Sequence, residues 1–239
     1  MSAYVFLGPT LPVEEARQIF DAIYLPPAAA GDLCALLHGP ARVSAIGLVD
    51  GLFQQQPAIW HKELLFALSR GIPVYGSSSM GALRAAELAA FGMIGVGKVF
   101  EAFRDGVYED DDEVAVIHGL DEHRYLSLSD PMVNLRHGLL LAQASGVIRA
   151  ETAGTLTAQA KSWFYPERSW KRLFREGKLS EVELQDLRAF VERERPDIKR
   201  ADAAQLLLRM KSDGPREHHP RFDFEPTKYW EALVTSRKT

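Results

Sequence analysis

The residues best placed to do chemistry in this chain lie in one run, Val-Tyr-Gly-Ser-Ser-Ser-Met-Gly-Ala-Leu-Arg-Ala-Ala-Glu, from Val74 to Glu87. Ser79 has Gly81 two residues on, and Ser77 stands where a first glycine would. The stretch approaches the Gly-x-Ser-x-Gly elbow, which lifts a nucleophilic serine between a strand and a helix. Three roles are open to Ser77, Ser78 and Ser79. They can hold a nucleophile, cap the following helix, or let that helix's free N–H groups grip a phosphate or carboxylate without covalent chemistry. The run lacks the lysine and spacing of a P-loop, so a nucleotide is not the expected ligand.

A nucleophilic serine needs a base, and a base is usually oriented by a carboxylate. His61, after Trp60, and His118, after the acidic run, are the candidate bases, and Asp50 at a strand end is the candidate carboxylate. Arg84 and Glu87 lie three apart on the elbow helix. Arg84 suits a substrate carboxylate, or the two form a surface ion pair. Glu109 to Glu113 gathers five carboxylates, read as a solvated acidic turn, with a divalent-metal site as the rival reading. The pair His218-His219 suggests weak metal capture at most, and Cys34 among leucines reads as core. No cofactor and no resident metal are expected.

These residues need a scaffold. Residues 4–8, 43–49 and 72–75 are short apolar runs that end at Gly8-Pro9-Thr10, Asp50-Gly51 and Gly76 to Ser79, and they read as buried strands. Helical spacing over 13–23, 31–37, 58–69 and 82–90 alternates with them, which implies a small open parallel sheet with helices on both faces. In such sheets ligands sit outside the carboxyl ends of the strands, so the three strand ends should converge on one crevice. Val114 to Ile117 is a fourth apolar piece.

Beyond residue 125 the pattern turns helical. Asp130-Pro131 starts a helix over 132–144, Ser180 to Glu183 has capping-box spacing, and 197–210 reads as a further helix. The expected organisation is an α/β core over 1–125, a mainly helical module over 126–213, and a loosely packed tail over 214–239 with room for a short helix.

Composition narrows the class. At 46% hydrophobic and 25% charged, the 239 residues are those of an ordinary globular protein. No apolar run is long enough to span a membrane, and the N-terminus lacks the basic start and apolar stretch of a signal peptide, so the cytoplasm is the expected compartment. The single cysteine excludes an internal disulfide. Residues 1–125 hold 8 Lys+Arg against 16 Asp+Glu, and the remainder 20 against 16. The later charges are interleaved rather than striped, which argues against a nucleic-acid partner.

Taken together, Gly8-Pro9-Thr10, Ile46 to Gly51 with Phe53, His61-Lys62-Glu63, Gly76 to Glu87, Gly92 to Gly97 and Asp111 to Ala115 resemble the TfuA-like family. The resemblance covers about residues 3–120, with a weaker echo at Asp130 to Asn134. It implies an accessory role in peptide or protein thioamide formation beside a YcaO-type enzyme, which activates a backbone amide with ATP. The implied contribution is release of sulfide from the thiocarboxylate terminus of a small ubiquitin-like carrier. On that reading Ser79 attacks or positions water, His61 is the base, and Asp50 and Arg84 support them. Thr10, Gly51, Gly76, Ser77, Ser78, Met80, Gly81 and Glu87 would then receive the carrier's narrow tail. A rival role is a non-catalytic adaptor that docks carrier and YcaO-type enzyme together.

Overall fold

The apolar runs form strands in the computed structural model, which describes residues 1–52, 56–117, 128–215 and 222–236. The strands are β1 (Ser2–Phe6), β2 (Ile23–Leu25), β3 (Val43–Leu48), β4 (Val74–Ser77) and β5 (Ile94–Val96). They make one five-stranded sheet in the order β2-β1-β3-β4-β5, parallel throughout. Phe6 pairs with Leu48 and Leu48 with Gly76, so the carboxyl ends of β1, β3 and β4 align. The chain steps one way from β1 to β2 and the other way thereafter. Right-handed crossovers then put α1 (Val13–Ile19) on one face and α2 (Asp32–His38), α3 (His61–Ser69) and α4 (Met80–Leu88) on the other.

Two elements depart from expectation. Residues 23–25, expected to extend a helix to Ile23, form β2; the helix stops at Ile19. Ile94–Val96, unread as a strand, adds β5 at the edge and leads into α5 (Lys98–Arg104). Val114 to Ile117 forms no strand; it follows a 3-10 turn at Asp111–Glu113.

The chain compacts into two units, Met1–Glu109 with Arg200–Thr239, and Asp110–Lys199. In the first, α10 (Ile198–Asp213) packs on the sheet. Its Ala203, Leu206, Leu207 and Met210 join Ala3, Val5, Leu7, Ala45 and Val49 of the sheet and Leu11 and Ala16 of the α1 side in one core. Asp202 of α10 accepts the Val99 N–H at 2.8 Å and so serves as the cap α5 lacks in its own sequence. Burial pushes that carboxyl up to about 6, against the N–H donors of Val99 and Lys98. α11 (Lys228–Ser236) closes the chain.

The second unit is helical: α6 (Met132–Ala144), α7 (Ala150–Ser162), α8 (Trp170–Glu176) and α9 (Glu181–Glu194). Leu135 and Leu139 of α6 meet Leu156 of α7, Leu173 of α8 and Leu187 of α9. Ser180 and Glu183 form both arms of the capping box that starts α9. α6 spans the expected 132–144, with Pro131 rather than Asp130 at the cap position. The Asp130 carboxylate instead accepts the Trp170 N–H at 2.9 Å.

The acidic run is part solvated and part bound: Glu109, Asp110 and Asp111 are exposed, whereas Asp112 and Glu113 are drawn into ion pairs. Glu113, 3% exposed, takes a two-pronged bond from Arg136 at 2.9 Å on both oxygens. Lys161 bridges Asp110, Asp112 and Glu113, and the buried Arg168 binds Asp112 through side chain and backbone. Burial alone would raise the Asp112 carboxyl, but the bonds from Lys161 and Arg168 hold it below its usual range. Among the described residues no group of three metal-ligating side chains could hold an ion. His118, His218 and His219 lie outside those residues.

Candidate functional site at the strand ends

The order β2-β1-β3-β4-β5 reverses direction between β1 and β3, and parallel sheets bind ligands beyond such a switch point. Asp50 occupies it. The carboxylate is 2% exposed and accepts the Gly8 N–H at 2.9 Å, the Thr10 N–H at 3.1 Å and the Thr10 hydroxyl at 2.6 Å. A buried carboxylate with three donors is well satisfied, and this one ties the loop after β1 to the end of β3. Alongside it, Ala28 and Gly51 form an isolated parallel bridge. Asp50 and Thr10 therefore hold the crevice together.

Beside them, β4 runs into α4 through the three serines. Ser77 and Ser78 are fully buried and Ser79 is 4% exposed. The Ser79 N–H reaches back to the Ser77 carbonyl at 2.8 Å, and Ser78 between them has φ +64°. This is a γ-turn of the strained, positive-φ kind. A side-chain-bearing residue held there costs free energy and is over-determined by its surroundings. The surroundings are two glycines. A Cβ on Gly81 would lie 1.8 Å from the Leu48 carbonyl oxygen, and one on Gly76 would lie 2.1 Å from the Gly81 carbonyl. The small residues of the motif are thus filled from behind by protein backbone, and they seat α4 against β3 and β4. Gly51 is likewise pressed on Met80, whose Cγ would be 2.7 Å from an added Cβ.

The donors at the start of α4 are mostly committed. The Gly81 N–H bonds the Val49 carbonyl at 3.1 Å and the Ala82 N–H bonds the Ser79 carbonyl at 2.9 Å. Among the described hydrogen bonds the Met80 N–H has none. Ser79 makes no side-chain capping bond to the helix, so the capping role is not the one it fills.

His61 lies elsewhere. Its Nε2 is 2.7 Å from Glu87 Oε2, and Arg84 Nη1 is 2.7 Å from the same oxygen. Arg84 is further fixed by its Nε donating to the Ile59 carbonyl at 3.2 Å. Burial would raise the Glu87 carboxyl, but the bonds from His61 and Arg84 carry it below its usual range. Glu87 is eight residues past Ser79, about two turns along the helix. The structure therefore brings together His61 and Glu87, each nearly half exposed, and the more buried Arg84 on the seam between α3 and α4. The described hydrogen bonds of His61 go to Glu87 and Arg84, and those of Asp50 to Gly8 and Thr10.

Glu63, read from the sequence only as part of a motif, is a fully buried carboxylate at this end of the sheet. It accepts N–H groups from Gly31, Cys34 and Trp60 at 3.0, 3.0 and 3.1 Å, starting α2 and α3 at once. Burial raises its carboxyl despite those donors. Its spacing of three from Trp60 is the signal that could have marked it as a cap.

No curated protein matches the chain. The family model for TfuA-like protein matches residues 50–169, a span that opens at Asp50 and takes in the serine turn, the seam trio, the acidic run, α6 and α7. No helix among the described residues is long and apolar enough to cross a membrane. With half of its length matched in this way, the chain belongs to the TfuA-like family.

Proposed function

We propose that this protein is an accessory factor in backbone thioamidation, releasing sulfur from a thiocarboxylated ubiquitin-like carrier for a YcaO-type enzyme. The observation that carries the reading is the buried γ-turn at Ser77 to Ser79, where a strand enters a helix. Family membership supports the same role. The carrier's terminal thiocarboxylate, an acyl group with a good leaving group, would meet Ser79 there. Attack by Ser79 or by a water it positions places negative charge on the acyl oxygen, and the Met80 N–H is the donor available to it. Overall, thiocarboxylate and water give carboxylate and hydrogen sulfide, with charge and atoms conserved. Arg84 and Glu87 would meet the body of the carrier rather than its reacting end.

A second reading is favoured by one observation: His61 is bonded to Glu87, away from the turn. On that reading the chain acts as an adaptor that grips the carrier's terminus and presents it to the YcaO-type enzyme.

Sulfide release from a thiocarboxylated carrier, with purified protein and no YcaO-type enzyme, separates the two. Release that falls at least a hundredfold in Ser79→Ala, with carrier binding intact, is the result expected. Equal release from Ser79→Ala and from the unaltered chain would overturn the catalytic reading. No release from either, but faster thioamide formation once the YcaO-type enzyme is added, would establish the adaptor.

A further inference from the structure

We propose that residues 222–236 form a strap that opens as a unit while the sheet stays folded, and that the groove it vacates takes an acidic, aromatic segment of a partner protein. The described ring and cation contacts between this segment and the rest of the first unit are made by side chains. Phe222 meets Phe91 edge-on at 5.4 Å, Phe224 meets Phe66 at 5.3 Å, and Trp230 meets Phe66 at 4.8 Å and His38 at 6.1 Å. The Lys62 ammonium lies 4.7 Å from the centre of the Phe224 ring. The segment's described hydrogen bonds close within itself, as from the Trp230 N–H to Thr227 Oγ1 and from the Glu231 N–H to the Thr227 carbonyl.

Its helical part, α11, satisfies its own backbone and docks through Trp230, as a helix laid in a groove does, while Phe222 and Phe224 dock by their rings from the non-helical chain before it. The seat is built by other elements. His38, the last residue of α2, stacks on Phe66 of α3 at 5.2 Å and 3°, and the Arg70 guanidinium lies 5.5 Å from the same ring. Anchorage is thin compared with α10, whose Ala203, Leu206 and Leu207 are fully buried. In the strap Trp230 is buried, Phe222 and Phe224 are partly exposed, and Tyr229 is 67% exposed. Few buried apolar contacts mean a low local opening free energy.

The occupant displays what the groove accepts: two phenylalanines two apart, then a tryptophan six residues on. Asp223 and Glu225 flank Phe224, and the seat carries Lys62 and Arg70, so the complementary charge on a competing segment is negative. The strap also brackets the α3–α4 seam, with Phe222 on the side of Phe91 and Phe224 on the side of Lys62. Opening it would therefore bare the surface beside His61 and Glu87.

Two measurements on the full chain test this. In native-state hydrogen exchange, amides of 228–236 should exchange at least tenfold faster than those of 61–69 and with a shared urea dependence smaller than that of global unfolding. Exchange of both in one global step would overturn the strap. A fluorescent peptide of residues 222–236 should bind the full-length Phe224→Ala, Trp230→Ala chain at micromolar concentration, and the unaltered chain at least tenfold more weakly. Binding to neither would overturn the groove. The exchange result stands on the unaltered chain, so it decides the strap even if the double variant fails to fold.

Discussion

The serine turn and the α3–α4 seam share helix α4, yet they differ in nearly every physical respect. The turn is buried, closed by backbone hydrogen bonds and held with Ser78 at positive φ. The seam is an ion pair extended by an imidazole, with His61 and Glu87 each nearly half exposed. One end of the helix is locked because Gly81 lets its backbone touch β3. The other end carries polar contacts that water can replace. Closeness in sequence put both sets on one element, and about two helical turns were enough to give them separate environments.

Substitutions can break that contrast. Gly81→Ala should have the largest effect. Overpacking usually costs about 1–3 kcal/mol, and here the obstacle is a carbonyl of the central strand, so about 3 kcal/mol or more is expected. Urea unfolding measures it, and a loss below about 1 kcal/mol would mean that α4 slides freely and the turn is not locked. Asp50→Ala comes next. Two N–H groups and a hydroxyl lose a buried acceptor, for an expected loss of about 2–3 kcal/mol, while Asp50→Asn, which keeps one oxygen, should lose less.

Ser78→Gly should act in the opposite direction. Relief of the positive φ is worth about 1 kcal/mol, read as a higher unfolding midpoint. A destabilised glycine variant would show that the Ser78 side chain contributes more than its backbone strain costs. His61→Ala should change stability least, by under about 1 kcal/mol, because both partners of its bond face solvent. It should also leave sulfide release within a few-fold of the unaltered chain. A hundredfold loss there, with carrier binding intact, would put His61 back at the reaction and erase the difference between turn and seam.

The strands β1, β3 and β4 could be read from their apolar runs because each is followed by glycine, proline or serine that no helix would tolerate in sequence. β2 and β5 could not. Three residues show no alternation, and Gly95 inside β5 carries no side chain to pattern, its face being filled by Phe100. The serine turn was visible as strand, small residues, then an alanine-rich helix. The partners of His61 and Asp50 were not legible, since sequence order fixes neither that Glu87 takes up His61 nor that Thr10 takes up Asp50. The acidic run illustrates the same limit. Its partner Arg168 lies 56 residues from Asp112, and no local pattern announces a pairing at that range. Likewise 197–210 could be read as a helix, but that reading does not say which core the helix completes.

That last assignment has a consequence for how the chain is made. The first unit is interrupted: its sheet emerges from the ribosome early, but α10 follows only after residues 110–199. At about 5–20 residues per second, that interval lasts on the order of ten seconds. Throughout it Ala3, Val5, Ala45 and Val49 present an apolar sheet face that α1 covers only in part. The nascent protein therefore passes through a half-finished state in which the helical unit has every residue it needs before the sheet that preceded it does, and that interval is when chaperone capture or aggregation would be decided.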